Sequence, residues 1–79
     1  MIDMAKYLLQ LQEDQRILQA MLEQHRAALE RLAKDQDSIP NGLRPAARLI
    51  HRTYIHILED ALSAANSLTD YLTGDGDRQ

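Results

Sequence analysis

Residues 4–32 read MAKYLLQLQEDQRILQAMLEQHRAALERL, and within them Met4, Leu8, Leu11, Gln15, Leu18, Leu22, His25, Leu29 and Leu32 follow one another at alternating steps of four and three. Such spacing keeps side chains on one face of an α-helix and defines a heptad seam. With Leu8, Gln15, Leu22 and Leu29 at a and Met4, Leu11, Leu18, His25 and Leu32 at d, only Gln15 and His25 interrupt the apolar stripe. Neither Gly nor Pro falls within residues 4–34, and Asp3 stands where an N-cap, or an anion at the positive end of the helix dipole, belongs. Arg31 and Lys34 complement the other end, and Glu30 pairs with Lys34 one turn on. A first helix over about residues 2–36 follows, a rod of roughly 50 Å.

Immediately beyond it, residues 35–45 (DQDSIPNGLRP) gather Asp, Ser, Asn, Gly and two Pro between periodic stretches. That composition breaks helices and reverses chains. The turn is expected over about 37–44 and a second helix over about 45–73, with Asn41 or Ser38 as its cap and Pro45 tolerated in a first turn whose amides have no partner. Gly74 suits the left-handed position that closes a helix, and GDGDRQ (74–79) is expected as a flexible tail. The second helix shows its own seam, Ala47, Ile50, Tyr54, Ile57, Ala61, Ala64, Leu68 and Tyr71, widened by Leu58, Ala65 and Leu72.

Folding the helices back antiparallel makes facing positions add up to about 79, from the short connection. Leu32 then meets Ala47, Leu29 meets Ile50, His25 meets Tyr54, Leu22 meets Ile57 or Leu58, Leu18 meets Ala61, Gln15 meets Ala64 or Ala65, and Leu11 meets Leu68. Large faces small and polar faces polar, as interdigitating layers require. The fold class is therefore all-α, an antiparallel two-helix hairpin in one domain of 79 residues.

A chain of this size buries only about 60% of its surface, and no cysteine is present to staple it. The hairpin is thus expected to complete its core on a partner or as a dimeric four-helix bundle. Apolar residues off the seam support that expectation, and Leu9, Ile17, Ala20, Leu49, Ile55 and Leu62 are the interface candidates. Net charge is −3, which disfavours a general nucleic-acid binder. Residues 23–56 hold six Lys/Arg and four Asp/Glu, the remainder three and eight, so the two parts carry +2 and −5. Arg44, Arg48 and Arg52 form a row near Arg31 and Lys34. This basic group reads either as a docking patch for an acidic partner or RNA, or as a solvated row neutralised by Asp35 and Asp37. No apolar run approaches the roughly 20 residues of a membrane span and no leader pattern opens the chain, so a soluble, cytosolic protein is expected.

The chemistry-bearing residues do not assemble into a site. His51 and His56 are five apart and point about 140° from each other on a helix, and His56 with Glu59 makes only two ligands. His25 reads as a core histidine facing Tyr54, with a pH-sensitive seam as the functional alternative. Ser, Thr and carboxylates lack a paired base or acid at defined spacing, so neither catalysis nor a metal or other cofactor is expected.

A long Leu/Gln/Glu-rich helix bearing LEQHRAALERL, a Pro-containing turn, and a second helix ending HILEDALSAANSLTDYL together resemble the small co-chaperones of bacterial type III secretion systems, the YscE, SsaE and EscE type. The likeness covers residues 4–73 and rests on length, helix pattern and the character of those segments. It implies a non-enzymatic bacterial cytoplasmic protein that binds a helical-repeat (TPR-like) chaperone and, through it, keeps the needle subunit soluble before export. It supplies no site residues. The alternatives are a homodimeric four-helix-bundle regulator or RNA-binding protein, and a small inhibitor that docks on a larger enzyme.

Overall fold

The computed structural model describes residues 3–74. Two helices of 30 residues each, α1 (Met4–Ala33) and α2 (Arg44–Thr73), pack antiparallel and are joined by a turn that ends in a 3₁₀ segment, Asn41–Leu43. The fold is the all-α hairpin that the heptad pattern predicts. Residues 1–2 and 75–79 lie outside the described residues, and with them the expected tail and any start of α1 at Ile2.

Local chemistry sets the ends. Asp3 is the N-cap of α1, its Oδ1 accepting from the amides of Ala5 (3.1 Å) and Lys6 (3.3 Å). At the far end Asp35 takes a left-handed conformation, φ 53°, and the Gln36 amide donates to Arg31 O at 2.9 Å while the Asp35 amide donates to Leu32 O at 3.4 Å. That is a Schellman closure with Asp in place of the usual Gly. α2 ends as expected, at Thr73, with Gly74 left-handed at φ 80°. Its start differs from expectation: neither Ser38 nor Asn41 caps it, because the 3₁₀ turn runs straight into the helix. The amides of Leu43 and Arg44 are satisfied by Pro40 O and Asn41 O, so no side-chain cap is needed there.

In α1 the seam is the one read from the heptads. Leu22 and Leu32 are buried, and Leu8, Leu11, Gln15, Leu18, His25 and Leu29 are half-buried; Met4 is exposed. In α2 the helix is turned by one residue, roughly 100°, from the expected rotation. Its protected positions are Arg44, Ala47, His51, Ile55, Leu58, Ala61, Leu62, Ala65, Thr69 and Leu72, with Leu58 buried. The expected seam residues Ile50, Tyr54, Ile57, Ala64, Leu68 and Tyr71 are exposed instead. Both stripes repeat at steps of three and four, one residue apart, so periodicity alone could not choose between them. Cross-helix polar contacts accompany the choice: Gln15 Nε2 donates to Asn66 Oδ1 (2.8 Å) and Thr69 Oγ1 (3.2 Å), and the His25 and His51 Nδ1 atoms approach to 2.9 Å.

The result is a slab, not a globule. The molecule measures 53 × 26 × 17 Å, and one helix with its side chains already occupies about 10–12 Å. Leu22, Leu32 and Leu58 are the buried residues among those described, and no side chain is fully buried. The chain exposes 6144 Å², whereas a compact 9.0 kDa protein exposes about 4,900 Å².

Candidate protein-docking face

Because α2 carries two adjacent stripes and spends only one on α1, the other is left on one broad side of the slab. Helical geometry places Leu43, Ile50, Tyr54, Ile57, Ala64, Leu68 and Tyr71 on that side of α2, next to the buried stripe. From α1 it receives Tyr7, Met21 and Ala28, which sit one position before seam residues Leu8, Leu22 and Leu29. Two contacts fix the correspondence across the helices. Tyr54 stacks flat on His25, ring centroids 4.9 Å apart and planes 6° from parallel, and Met4, Tyr7, Leu68 and Leu72 line a shallow apolar hollow at the open end. Exposure along the face is high for such residues: Ile57 56%, Leu43 60%, Tyr71 67%.

The opposite side of the slab is chemically different. There Arg26 Nη2 meets Glu59 Oε2 at 3.0 Å, both side chains about half exposed, and Gln12, Gln19, Arg52 and Asn66 occupy neighbouring positions. An exposed ion pair of this kind contributes roughly 0–1 kcal/mol. The hairpin thus has one wet face and one apolar face. Gln10 and Asp14, one position before Leu11 and Gln15, interrupt that face on α1, so its continuous part is the α2 stripe; exposed apolar patches mark interaction surfaces.

The six interface candidates from the sequence do not form one patch. Ile55 and Leu62 are half-buried members of the stripe that packs on α1, so they belong to the hairpin core. Leu9 and Leu49 are about two-thirds exposed and Ile17 half exposed, but Leu9 projects toward the polar side and Ala20 and Leu49 away from the partner helix, whereas Ile17, one position before Leu18, lies on the apolar side with Met21 and Ala28. The exposed stripe of α2 is the one that the heptad pattern assigns to the seam.

The basic row dissolves in a similar way. Arg44 is nearly enclosed: its guanidinium bonds Asp35 Oδ1 (2.8 Å), Asp37 Oδ1 (2.8 Å) and the Leu32 carbonyl in the last turn of α1. It ties the turn to the end of α1. Asp37 also accepts from the Ile39 amide at 2.9 Å, while its Oδ2 is buried with no partner. Lys34 pairs with Glu30 at 2.8 Å, and that bond, followed by the Lys34 charge, holds the Glu30 carboxyl below its usual 4.5. Arg31, Arg48 and Arg52 form no ion pair among the described residues.

The histidines also sit where packing explains them. His25 and His51 share a short Nδ1···Nδ1 contact, so one ring donates and the other accepts, and that bond requires an unprotonated Nδ1 on one of them. Burial first, then the charges of His25 and Arg31, holds the His51 pKa below its usual 6.5. Among the described residues no three His or carboxylate side chains come together as a metal site, and no helix is long and apolar enough to cross a membrane.

No protein-family model, no curated protein and no solved structure matches the chain.

Proposed function

We propose that this hairpin is a non-enzymatic protein-binding module that works through its apolar face. The observation that carries the reading is the second stripe of α2: from Leu43 to Tyr71 it keeps a heptad spacing along the whole helix, yet α1 does not cover it. Helix-forming sequence alone does not demand such a stripe. An apolar ridge at this spacing fits the grooves of another helix or helix pair.

The resemblance to type III secretion co-chaperones gives the module a specific form, in which a concave helical-repeat chaperone receives the face and the pair holds the needle subunit soluble in the bacterial cytoplasm. Burial of the face would contribute roughly 25 cal/mol per Å² of apolar area. The test is co-expression with a helical-repeat chaperone and needle subunit of a type III secretion system. Ile57→Glu should abolish co-purification while Leu49→Glu, an equally exposed apolar position off the face, leaves it intact. If both variants co-purify, the face is not the docking surface. If no helical-repeat protein binds the unaltered chain, the co-chaperone form is wrong.

A further inference from the structure

We infer that Asn41–Gly42, in the turn between the helices, is a site of self-modification at which the uncharged asparagine becomes an aspartate or an isoaspartate. The reaction is intramolecular and consumes only water. The Gly42 backbone nitrogen attacks Asn41 Cγ, the Cγ–Nδ2 bond breaks, and the side-chain nitrogen leaves as ammonia with the Gly42 amide hydrogen, closing a cyclic imide. Water then cleaves one of the two carbonyl–nitrogen bonds of that ring. Cleavage at Cγ leaves an aspartate on an ordinary backbone. Cleavage at the main-chain carbonyl leaves an isoaspartate, whose backbone runs through Cβ and Cγ and is longer by one carbon.

The chain holds two asparagines, and the structure treats them differently. Asn66 lies inside α2, where its Oδ1 accepts from Gln15 Nε2 at 2.8 Å and the next backbone nitrogen, that of Ser67, is helical. Asn41 is exposed and opens the 3₁₀ segment without capping it. Neither its side chain nor the Gly42 amide makes a hydrogen bond among the described residues, so both reacting groups are free. Gly42 also leaves its nitrogen unshielded. A Cβ built there would meet nothing within 4 Å and its φ is not left-handed, so neither packing nor backbone geometry demands a glycine. Ring closure requires Asn41 to rotate out of 3₁₀ geometry. Two backbone bonds resist this, Leu43 N to Pro40 O (2.9 Å) and Arg44 N to Asn41 O, both of the poorer 3₁₀ type. Their opening is a local event that leaves the helices packed.

The two products change the start of α2 in opposite senses. That end has no acidic residue in its first turn and no side-chain cap, while Arg44, Arg48 and Arg52 stand along it. A carboxylate at position 41 is favoured there by the helix dipole and by those cations. The isoaspartate carries the same charge but lengthens the backbone inside the turn closed by Pro40 O and Leu43 N, which loosens the seat of Arg44 against Asp35 and Asp37.

The test is to hold the purified protein at mildly alkaline pH for the time in which a synthetic peptide of residues 35–48 becomes half converted, then to map its tryptic peptides by mass. Peptide 35–48 should gain the mass difference between oxygen and NH and separate into two isomers, while the peptide containing Asn66 stays unchanged. Gly42→Ala, which the open space at that position accommodates, should abolish the gain over the same time with helicity retained. Asn41→Asp should melt above the unaltered protein at low salt, and the isolated isoaspartyl form below it. No gain in peptide 35–48, an equal gain at Asn66, or an equal gain in Gly42→Ala overturns the site. An Asn41→Asp variant that melts lower than the unaltered chain overturns the effect assigned to the charge.

Discussion

α1 and α2 have the same length, 30 residues, yet α1 carries one apolar stripe and α2 carries two. In α1 the apolar residues beside the seam, such as Tyr7, Leu9, Ile17 and Met21, are interrupted by Gln, Asp, Glu and Arg, so no second apolar stripe runs its length. In α2 Leu58 follows Ile57, Leu62 follows Ala61 and Leu72 follows Tyr71, and each pair offers one residue to either stripe. A helix with one stripe is satisfied by one neighbour, and a helix with two asks for a second. The difference explains why the hairpin is a slab with only three buried residues among those described.

Neighbouring residues therefore allow the comparison to be broken on either side. Leu58 is 4% exposed and Ile57 56%. Leu58→Ala should cost about 2–4 kcal/mol of hairpin stability at every protein concentration, because it leaves a cavity between the helices. Ile57→Ala should change hairpin stability by less than roughly 0.5 kcal/mol, as exposed substitutions do. Urea unfolding of both variants checks this. Equal losses would mean that α2 does not choose the Leu58 stripe. By the same reasoning, a charge at Leu62 should unfold the hairpin rather than merely detach a partner.

The turn offers the next largest effect. Arg44→Met keeps length but removes the guanidinium, stranding the Asp37 carboxylate without its cation, its side chain being only 11% exposed, and taking one donor from the Leu32 carbonyl. A loss of about 2–3 kcal/mol is expected, most of it from the unpaired charge. Arg48→Met, a neighbour with no ion pair among the described residues, should lose much less. Asp3→Ala comes lower, at about 1 kcal/mol, since it removes one N-cap from a long helix. Circular dichroism melts rank the three.

How far the sequence could be read follows the same line. α1, its seam, its Asp3 cap and the Gly74 stop were legible because each is a local rule with one solution. The antiparallel pairing was legible in register: His25 does meet Tyr54. What was not legible was the rotation of α2, since two stripes of equal period differ only in which of them the partner helix selects. Ile55 and Leu62 were misplaced for that reason alone. Arg44 showed the other gap: charge balance suggested Asp35 and Asp37 as its partners, but its bond to a helix-end carbonyl depends on the Asp35 left-handed turn, which no residue pattern announces.

The smallest effect tests the polar part of the α1–α2 seam. The pKa of His51 is lowered from 6.5, mainly by burial and then by the charges of His25 and Arg31. The unfolded chain therefore binds more protons than the folded one below about pH 6.5, and stability must fall as pH drops through that value toward the lowered pKa, levelling beneath it. Glu30, held below 4.5 by Lys34, acts in a separate and more acid window. Urea midpoints measured at pH 8, 6.5 and 5.5 should decline in the unaltered protein and decline less in His51→Gln, which keeps a polar group beside His25 and Tyr54 but cannot take up the proton. A decline of equal size in both proteins would place the titration elsewhere than His51. A decline confined to the unaltered chain would show that the stripe facing α1 holds one group that works only while neutral, whereas the stripe facing outward, having none within it, should keep its association unchanged over the same range.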